Sequence, residues 1–262
     1  IQVLDAETVP VKSIRIGMYQ RYWGGNMDEG WTRLCLEQYS FPDRTLMDAD
    51  ITKGNLNEEL DVIILPHDSP EMISGGEDLQ KWWKENRPTY PLPDYPEDYR
   101  SGLGEEGAEA IKEFVEKGGT LVCLGMASMY AVEKLDLKIT NTVDKVSSKE
   151  FHCPGSTLHI ELNPWHPQAY GMPEDALALF WGTPVFKILP NPDNHLYEVV
   201  ASYPEEDILE SGWLIGEDKL ANKIAMLNVN VGEGNVVLIG FRAQHRCQTH
   251  GTFKLLFNSL LG

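Results

Sequence analysis

The segment from residue 105 to residue 133 constrains the fold most, because it predicts a helix, a strand and a second helix in close succession. Its first part carries Ala108, Ile111 and Val115 at the spacing of one apolar helical face. Gly118-Gly119 predicts the end of this helix, since glycine adopts the left-handed conformation at a helix C-terminus at little cost. Helices and strands joined by such tight turns are typical of an α/β sheet.

The apolar run from residue 120 to residue 124 predicts a strand that is covered on both faces, as in a parallel sheet. The turn after it, Gly125-Met126-Ala127-Ser128, leads into the second helix. In open parallel sheets, ligands bind at the carboxyl ends of the strands. This turn is therefore the first place to expect a catalytic residue, and His67-Asp68-Ser69, at the end of the apolar strand 61–66, is the second.

The rest of the chain continues the alternation of strands and helices and then becomes rich in strands. Before the central segment, strands are predicted at residues 14–19, 44–47 and 61–66. After it, short strands broken by prolines occupy residues 136–224, and a final helix is predicted at residues 249–261. We expect an α/β protein, a flavodoxin-like three-layer sandwich with a mostly parallel sheet, to which the β-rich section adds antiparallel strands.

A single domain is expected over residues 1–262, with residues 1–13 as a linker or an edge strand. Residues 70–104 are rich in proline, glycine and aromatic residues, and loops of this length are often lids. The aromatic side chains could stack on a sugar or a peptide, but packing over the sheet edge is the simpler explanation. They are Trp82, Trp83, Tyr90, Tyr95 and Tyr99.

Two further helices are predicted from local sequence. Asn26 is expected to cap the first, with Glu29 at the spacing of a capping box. The second is a short apolar helix at residues 174–180. The inward face of the helix after Asn26 is expected to include Trp31, Leu34, Cys35, Gln38 and Tyr39.

The balance of charge argues against two classes of partner. The formal net charge is −18, so the surface repels nucleic-acid phosphate and anionic lipid. No apolar run is long enough to span a membrane, and we expect no membrane insertion. The first residues lack the basic and apolar regions of a signal peptide, which is expected of a cytoplasmic protein or of a mature or excised piece.

The cysteines and histidines do not follow the spacing of a disulfide framework or a structural metal site. Cys35 and Cys123 fall in apolar patterns and are expected to be buried thiols. His152-Cys153 and the group His245-x-Cys247-x-x-His250 contain ligand types without the closed spacing of structural zinc. We therefore expect no metal and no cofactor in this chain.

The central segment resembles the class I glutamine amidotransferase-like family, on the residues GGTLVCLGMAS at positions 118–128. In active members of that family, a Gly-Gly turn and a strand lead to a nucleophilic cysteine in a tight elbow. Aligning the Gly-Gly pairs places Gly125 at the cysteine position, whereas Cys123 falls inside the strand. The resemblance therefore implies that the elbow, formed by Gly125, Met126 and Ser128, has lost its nucleophile.

Several other stretches are similar to the C-terminal region of large bacterial zinc carboxypeptidase-like proteins, and the similarity extends over most of residues 14–261. They include residues 27–33, 46–51, 61–66, 166–173, 240–246 and 249–254. In those proteins an amidotransferase-like domain follows a carboxypeptidase A-type domain that binds zinc. The resemblance implies that a zinc peptidase domain lies upstream of Ile1 as a partner in the same polypeptide. It also implies a location outside the cytoplasm.

A polar cluster is expected where the last core strand meets the final helix, and its role stays open. Arginines near a helix N-terminus can bind a carboxylate or a phosphate, but they can equally pair with the acidic residues of the chain itself. Ser128 could be a nucleophile with His245 and Asp68, although a helix N-cap is its simpler role because the G-x-S-x-G elbow is not matched. The residues that would line a pocket are Asp28, Glu29, Asp68, Arg242, His245, Arg246 and His250.

Three functional hypotheses follow. The first is a non-catalytic accessory domain of a zinc carboxypeptidase-like protein, which packs on the peptidase domain or binds a ligand at the carboxyl edge of the sheet. The second is an independent hydrolase with an atypical site, and the third is a stand-alone domain that binds a sugar, a peptide or an anion. Glutaminase chemistry is not expected without a cysteine at position 125.

Overall fold

A computed structural model describes residues 13–22, 25–96 and 102–261 of the chain. The helices in these ranges are α1 (Met27–Gln38), α2 (Asp48–Thr52), α3 (Pro70–Ser74), α4 (Gly76–Asn86), α5 (Gly104–Glu116), α6 (Ala127–Lys134) and α7 (Phe253–Leu261). The strands are β1 (Ile16–Tyr19), β2 (Asp43–Leu46), β3 (Val62–Leu65), β4 (Thr120–Leu124), β5 (Ile139–Asn141), β6 (Pro154–Leu162), β7 (Asp175–Trp181), β8 (Phe186–Ile188), β9 (Tyr197–Ser202), β10 (Leu209–Ser211), β11 (Ile224–Val231) and β12 (Gly234–Ile239). None of the described helices has the length and apolar character needed to cross a membrane.

The described strands form one sheet, and its central part is parallel. β2, β1, β3, β4 and β12 lie side by side in that order, and each neighbouring pair runs in the same direction. This is the 2-1-3-4-5 order of flavodoxin-like folds, with β12 as the fifth strand. The predicted flavodoxin-like fold is thus confirmed. The strand order reverses between β1 and β3, and ligands of such sheets bind beyond the carboxyl ends of these strands.

Two apolar layers pack on opposite faces of the sheet. Along β3, Val62 and Ile64 belong to one layer and Ile63 and Leu65 to the other, because successive side chains of a strand point to opposite faces. Side chains from α1 and α7 complete the first layer, and side chains from α5 and α6 complete the second. The apolar stripe predicted for α5 is buried in the second layer, as expected.

The β-rich section extends the sheet with antiparallel strands, as predicted, but one of its elements is not the predicted helix. Residues 174–180 fall largely in β7, which pairs with β6 in antiparallel register. Ala178 and Phe180 are buried, whereas Leu179 between them is half-buried and Leu177 and Trp181 on either side are exposed, which is the period of a strand. Alanine and leucine favour helices, but pairing with β6 and burial of one face override that weak preference.

Helix α1 begins at the predicted cap but buries a different face. The Oδ1 atom of Asn26 accepts hydrogen bonds from the amides of Asp28 and Glu29. Leu34 and Tyr39, which are predicted to face inward, are exposed. The helix instead buries one side against the sheet and another against the turn at residues 245–247, so its burial does not follow a single apolar stripe. The buried residues are Asp28, Glu29, Thr32, Cys35 and Leu36.

The predicted lid at residues 70–104 is partly helical, because α3 and α4 occupy its first half. Among its described aromatic residues, Trp83 packs within the segment itself and not over the sheet edge as predicted. The Trp83 ring lies 5.1 Å from the Arg87 guanidinium and its Nε1 donates to the Tyr90 carbonyl at 2.7 Å, while the Tyr90 and Tyr95 rings are exposed. Tyr99 lies outside the described residues, as does the predicted linker or edge strand apart from its last residue.

Candidate functional site

β4 ends in a tight elbow at Gly125, on the carboxyl edge of the parallel sheet. Gly125 has a φ angle of 55°, in the left-handed region that favours glycine, and its N–H donates to the Ile239 carbonyl at 2.8 Å. A Cβ atom built on Gly125 would overlap Nδ1 of His67 and lie 3.0 Å from Cγ of the same ring. The space that a nucleophilic side chain needs at this elbow is therefore filled by an imidazole.

His67 follows β3 and meets a donor at each of its ring nitrogens. The Met126 N–H donates to Nδ1 at 3.1 Å, and Nη2 of Arg242 lies 3.0 Å from Nε2. Burial and the nearby Arg242 charge lower the pKa of His67 to about 3, so the ring is neutral at ordinary pH. A neutral imidazole has one acceptor nitrogen, so the ring can accept from only one of these two donors at a time.

Arg242, just after β12, connects the elbow to helix α1. Its Nη1 atom pairs with Oδ1 of Asp28, and its Nε donates to the Trp181 carbonyl at 3.0 Å. The side chains of Arg242 and Asp28 are only 12% and 10% exposed, so water screens this ion pair weakly. The guanidinium is thus occupied by groups of the chain itself.

A second buried ion pair lies at the carboxyl ends of β1 and β3. Nε of Arg21 donates to Oδ2 of Asp68 at 2.5 Å, and Nδ2 of Asn26 donates to the same oxygen at 3.3 Å. The Ser69 amide donates to Oδ1 of Asp68 at 3.0 Å. Burial raises the pKa of the Asp68 carboxyl, and the Arg21 guanidinium partly opposes this shift. Both carboxylate oxygens therefore have partners within the chain.

His245 lies in the turn after Arg242, between two indole rings. Its ring centroid is 4.8 Å from that of Trp31 and 5.3 Å from that of Trp181. Burial, together with the Arg242 charge, lowers the pKa of His245. Its Nδ1 atom is buried and has no hydrogen-bond partner among the described residues. The aromatic contacts hold the ring in place. To act as a general base, the ring would need a nucleophile within hydrogen-bond reach.

Neither candidate nucleophile at the elbow is accessible. Ser128 is fully buried and its hydroxyl donates to the Cys123 carbonyl at 3.2 Å, so the predicted helix cap is wrong. Helix α6 begins at Ala127, one residue before Ser128, and the serine hydroxyl points back to the strand instead of capping the helix. Cys123 is also fully buried, and burial raises the pKa of its thiol, which keeps it protonated.

The structure brings together only part of the predicted pocket. Asp28 and Arg242 pair directly, and Asp68 and His245 lie close to them in the same charged cluster. Of the other three members, only Arg246 acts on the cluster, because its charge contributes to the lowered pKa of His245. Glu29 pairs with Arg33, whereas Arg246 and His250 are exposed and the His250 ring packs 4.8 Å from that of Phe253. The elbow, Gly125, Met126 and Ser128, lies beside this cluster through its contact with His67.

Two members of the cluster are absent from the predicted pocket. His67 follows the end of β3, which is the second strand end where the sequence predicts polar site residues. Its place in the cluster could therefore have been predicted from the sequence. Arg21 follows β1 in the same way, but a single arginine in a loop carries no pattern of its own. Both become visible only once β1 and β3 are known to be neighbours at the switch point of the sheet.

Metal ligands do not gather within the described part of the chain. No group of three histidine, cysteine, aspartate or glutamate side chains there could hold a metal ion. One pair, His195 and Glu198, has the His-x-x-Glu spacing. His195 is exposed, while the Glu198 carboxylate accepts from Nδ2 of Asn228 at 3.0 Å. All four cysteines are buried free thiols, which agrees with the expected lack of a disulfide framework.

Comparisons with known proteins place the chain at the level of fold. No family model matches it, and no curated protein matches it at a significant level. Among solved structures, PurLQS from Thermotoga maritima is 18% identical, with a TM-score of 0.55 over 95% of this chain and 98% of that chain. A putative ThuA-like protein from Parabacteroides merdae is 12% identical, with a TM-score of 0.50 over 95% and 88% of the two chains. A β-galactosidase from Bacillus circulans is 11% identical, with a TM-score of 0.52 over 94% of this chain and 30% of that chain.

These identities are too low to transfer an activity, and the likeness concerns the fold alone. The neighbours agree with the three-layer α/β arrangement of the sheet and its helices. The neighbours support the amidotransferase resemblance at the level of the fold, and they give no support to the carboxypeptidase resemblance. The chain therefore has a flavodoxin-like fold shared with ThuA-like and glutamine amidotransferase-like proteins.

Proposed function

We propose that this chain is a non-catalytic domain of the glutamine amidotransferase-like fold. It serves as an accessory domain of a zinc carboxypeptidase-like protein, by packing on the peptidase domain or by binding a ligand at the carboxyl edge of the sheet. The observation that carries the loss of catalysis is the contact between Gly125 and His67. Any side chain at position 125 would overlap the imidazole, so the fold keeps the elbow and fills the nucleophile's place.

The oxyanion site of such an elbow is also occupied. Acyl transfer through a thioester needs backbone amides that are free to bind the developing oxyanion. The amide next to the nucleophile position belongs to Met126, and its nitrogen lies 3.1 Å from Nδ1 of His67, so the imidazole covers it whichever ring nitrogen accepts. One imidazole thus accounts for the loss of both the nucleophile's space and an oxyanion donor.

The buried position of the candidate nucleophile does not support an independent hydrolase. Ser128 is fully buried and hydrogen-bonded to the Cys123 carbonyl. A serine nucleophile instead needs an exposed hydroxyl within hydrogen-bond reach of its base. We therefore favour the non-catalytic domain over this alternative.

The accessory role has two supports of different kind. The sequence stretches similar to zinc carboxypeptidase-like proteins extend over most of the chain, and in those proteins the corresponding domain follows a peptidase domain. In addition, a solved β-galactosidase contains a region of this fold that makes up 30% of its chain, so the fold can be one part of a larger enzyme. Zinc would belong to the upstream domain, because the described residues hold no cluster of ligands.

Activity and labelling assays test the loss of catalysis. The intact protein is incubated with glutamine and with simple esters, and its mass is measured after treatment with a glutamine analogue that carries a diazoketone. We expect no product and no added mass, with an active glutaminase as the positive control. Turnover that disappears in the Ser128→Ala or Cys123→Ala variant would overturn the proposal.

The coding region upstream of Ile1 tests the accessory role separately. A His-x-x-Glu motif followed by a later histidine would support a zinc peptidase parent. A start codon directly before Ile1 would contradict that parent, while leaving the loss of catalysis at the elbow unaffected. The two halves of the proposal can therefore fail independently.

A further inference from the structure

A cleft lies at the amino-terminal edge of the sheet, at the other end of β12 from the elbow. Its volume is about 620 Å³, within the range of roughly 300–1,000 Å³ that is typical of small-molecule sites. It is bounded by the turn between β11 and β12, by β9, and by residues 163–168. A strand rises about 3.3 Å per residue, so the length of β12 separates this cleft from the elbow by roughly 17–20 Å.

The floor of the cleft is a network of amide side chains centred on Asn228. Its Nδ2 donates to Oε2 of Glu198 at 3.0 Å, across the β9–β11 pair. Its Oδ1 accepts from Nδ2 of Asn235 at 2.8 Å and from Nε2 of Gln168 at 3.1 Å. Asparagine is disfavoured in strands, and a buried amide is costly unless it is hydrogen-bonded. A residue that disfavours strands but lies inside a packed sheet is expected at a functional site.

The network determines which atom of Gln168 lacks a partner. Glu198 can only accept when ionised, so the Nδ2 end of Asn228 must face it and the Oδ1 end must face Gln168. Gln168 then has to present Nε2 to Asn228, which leaves its Oε1 as the acceptor without a hydrogen-bond partner among the described residues. Gln168 lines the cleft and is 3% exposed. A buried acceptor of this kind calls for a donor.

An exposed indole stands beside this network. Trp165 lines the cleft and is 92% exposed, although burial of an indole is favourable. Its position is held by a turn in which the amides of Trp165 and His166 donate to Oδ1 and O of Asn163, at 3.1 Å and 3.0 Å. Prolines 164 and 167 flank the turn and restrict its backbone further. The turn therefore fixes the backbone at Trp165 and presents an exposed apolar surface next to polar groups.

The charges of the cleft narrow the class of ligand. Among the described residues that line it, Glu198 and Glu233 are acidic and none is a lysine or an arginine, so an anion would be repelled. Oε2 of the Glu198 carboxylate already meets Nδ2 of Asn228 and Nε2 of His166, at 3.0 Å and 3.3 Å. The hydrogen bond from Asn228 is the main cause that lowers the pKa of Glu198. These two contacts weaken the attraction of Oε2 for a cation, and putrescine is included in the test below because the carboxylate stays ionised.

We propose that this cleft binds a neutral, polyhydroxylated ligand of the size of a mono- or disaccharide. A hydroxyl group both donates and accepts, which matches side-chain amides and the Oε1 acceptor of Gln168. The apolar face of a sugar ring would lie on the Trp165 indole, as the C–H face of a sugar suits an exposed aromatic surface. The site is remote from the elbow, so it does not rest on the loss of catalysis there.

Titration of the whole chain with neutral saccharides tests the proposal. Glucose, galactose, N-acetylglucosamine, maltose, cellobiose and lactose are compared with inorganic phosphate and putrescine by saturation-transfer NMR and calorimetry. We expect saturable binding of at least one saccharide and about tenfold weaker binding in the Trp165→Ala variant. Trp213→Ala is the matched control, because Trp213 is also exposed, at 59%, and does not line the cleft. Its affinity should equal that of the wild type.

A second variant tests the amide network. Gln168→Leu removes the unpartnered acceptor and should abolish binding, with folding checked by circular dichroism. If that variant does not fold, the indole N–H resonance of Trp165 in the wild-type protein replaces it and should shift on saccharide titration. Failure of every saccharide to saturate, or binding that is unchanged in Trp165→Ala, would overturn the proposal. Binding of phosphate or putrescine in place of the saccharides would also overturn it.

Discussion

The two edges of the parallel sheet handle polar groups in opposite ways. At the carboxyl edge, the ion pairs of Arg242 with Asp28 and of Arg21 with Asp68 are closed on themselves, and an imidazole fills the elbow. At the amino edge, uncharged amides form an open cleft beside an exposed indole. The ion pairs at the first edge are satisfied within the chain, although Nδ1 of His245 there has no partner among the described residues, and at the second edge Oε1 of Gln168 has none.

This difference shows that the fold alone does not determine where a binding site lies. Flavodoxin-like sheets bind ligands at the carboxyl edge because the loops there converge at the switch point. In this chain the same loops converge on buried ion pairs, so a ligand at that edge would meet charged groups that already have partners. Function has to be argued from the chemistry of each edge and not from the fold.

Removal of Arg242 should have the largest effect. Arg242→Ala leaves the buried Asp28 carboxylate without its cation, and breaking a buried pair in this way costs about 3–5 kcal/mol. Urea unfolding followed by circular dichroism measures the change in the free energy of unfolding. Arg44→Ala is the control, since the Arg44–Glu59 pair is about half exposed, and it should cost less than about 1 kcal/mol. Equal losses in the two variants would show that the carboxyl edge is not a buried ion-pair cluster.

A methyl group at the elbow should come next. Gly125→Ala meets both the left-handed backbone and the His67 ring, which together cost about 2–4 kcal/mol. Gly54→Ala is the matched control, because Gly54 also has a positive φ but has open space where a Cβ would lie. It should lose only about 1 kcal/mol. In the His67→Ala background the cost of Gly125→Ala should shrink, and strict additivity of the two changes would refute the steric explanation.

Acid should destabilise the carboxyl edge through His67. The pKa of His67 is lowered from its ordinary value of 6.5 to about 3, so the unfolded chain takes up a proton that the folded chain refuses. The stabilisation is complete above pH 6.5 and falls by up to about 1.4 kcal/mol per pH unit as the pH drops toward 3. Stability measured between pH 5 and 7 should decline less steeply in His67→Gln. Parallel curves for the two proteins would remove His67 as the cause.

Removal of the exposed indole should have the smallest effect on stability. Trp165→Ala deletes a side chain that has few contacts to lose, so the free energy of unfolding should change by less than about 0.5 kcal/mol. The same variant should bind the saccharide about tenfold more weakly, which separates a ligand-binding residue from a structural one. A loss of stability above about 1 kcal/mol would mean that the indole supports the turn at residues 163–168.

The parallel core could be predicted because its signals are local. The apolar strands β3 and β4, the stripe of α5 and the Gly-Gly turn each carry a pattern within a few residues. The strand β7 was missed because its alternation of alanine and leucine has the composition of a helix, and only pairing with β6 decides between the two. The buried face of α1 was not predicted because the helix packs against two elements, the sheet and the turn at residues 245–247.

The candidate sites depend on contacts that are distant in sequence, and they were predicted less well. Arg242 and Asp28 were placed together because strand ends and helix starts meet at one edge of an α/β sheet. The role of His67 could not be deduced, since its contact with Gly125 joins two loops whose spacing is set by packing. The amide network was missed because asparagines on β11 and β12 show no pattern until the strands are paired.

The contact between Gly125 and His67 also governs whether the elbow can regain a nucleophile. A change of Gly125 to cysteine alone would place a side chain into the imidazole and weaken the folded state. A change of His67 alone would remove a partner of the Met126 amide without adding chemistry. Two substitutions are therefore needed together, because neither of them gives a benefit when it occurs first. The loss of the nucleophile is thus protected against reversal by the packing of a single ring.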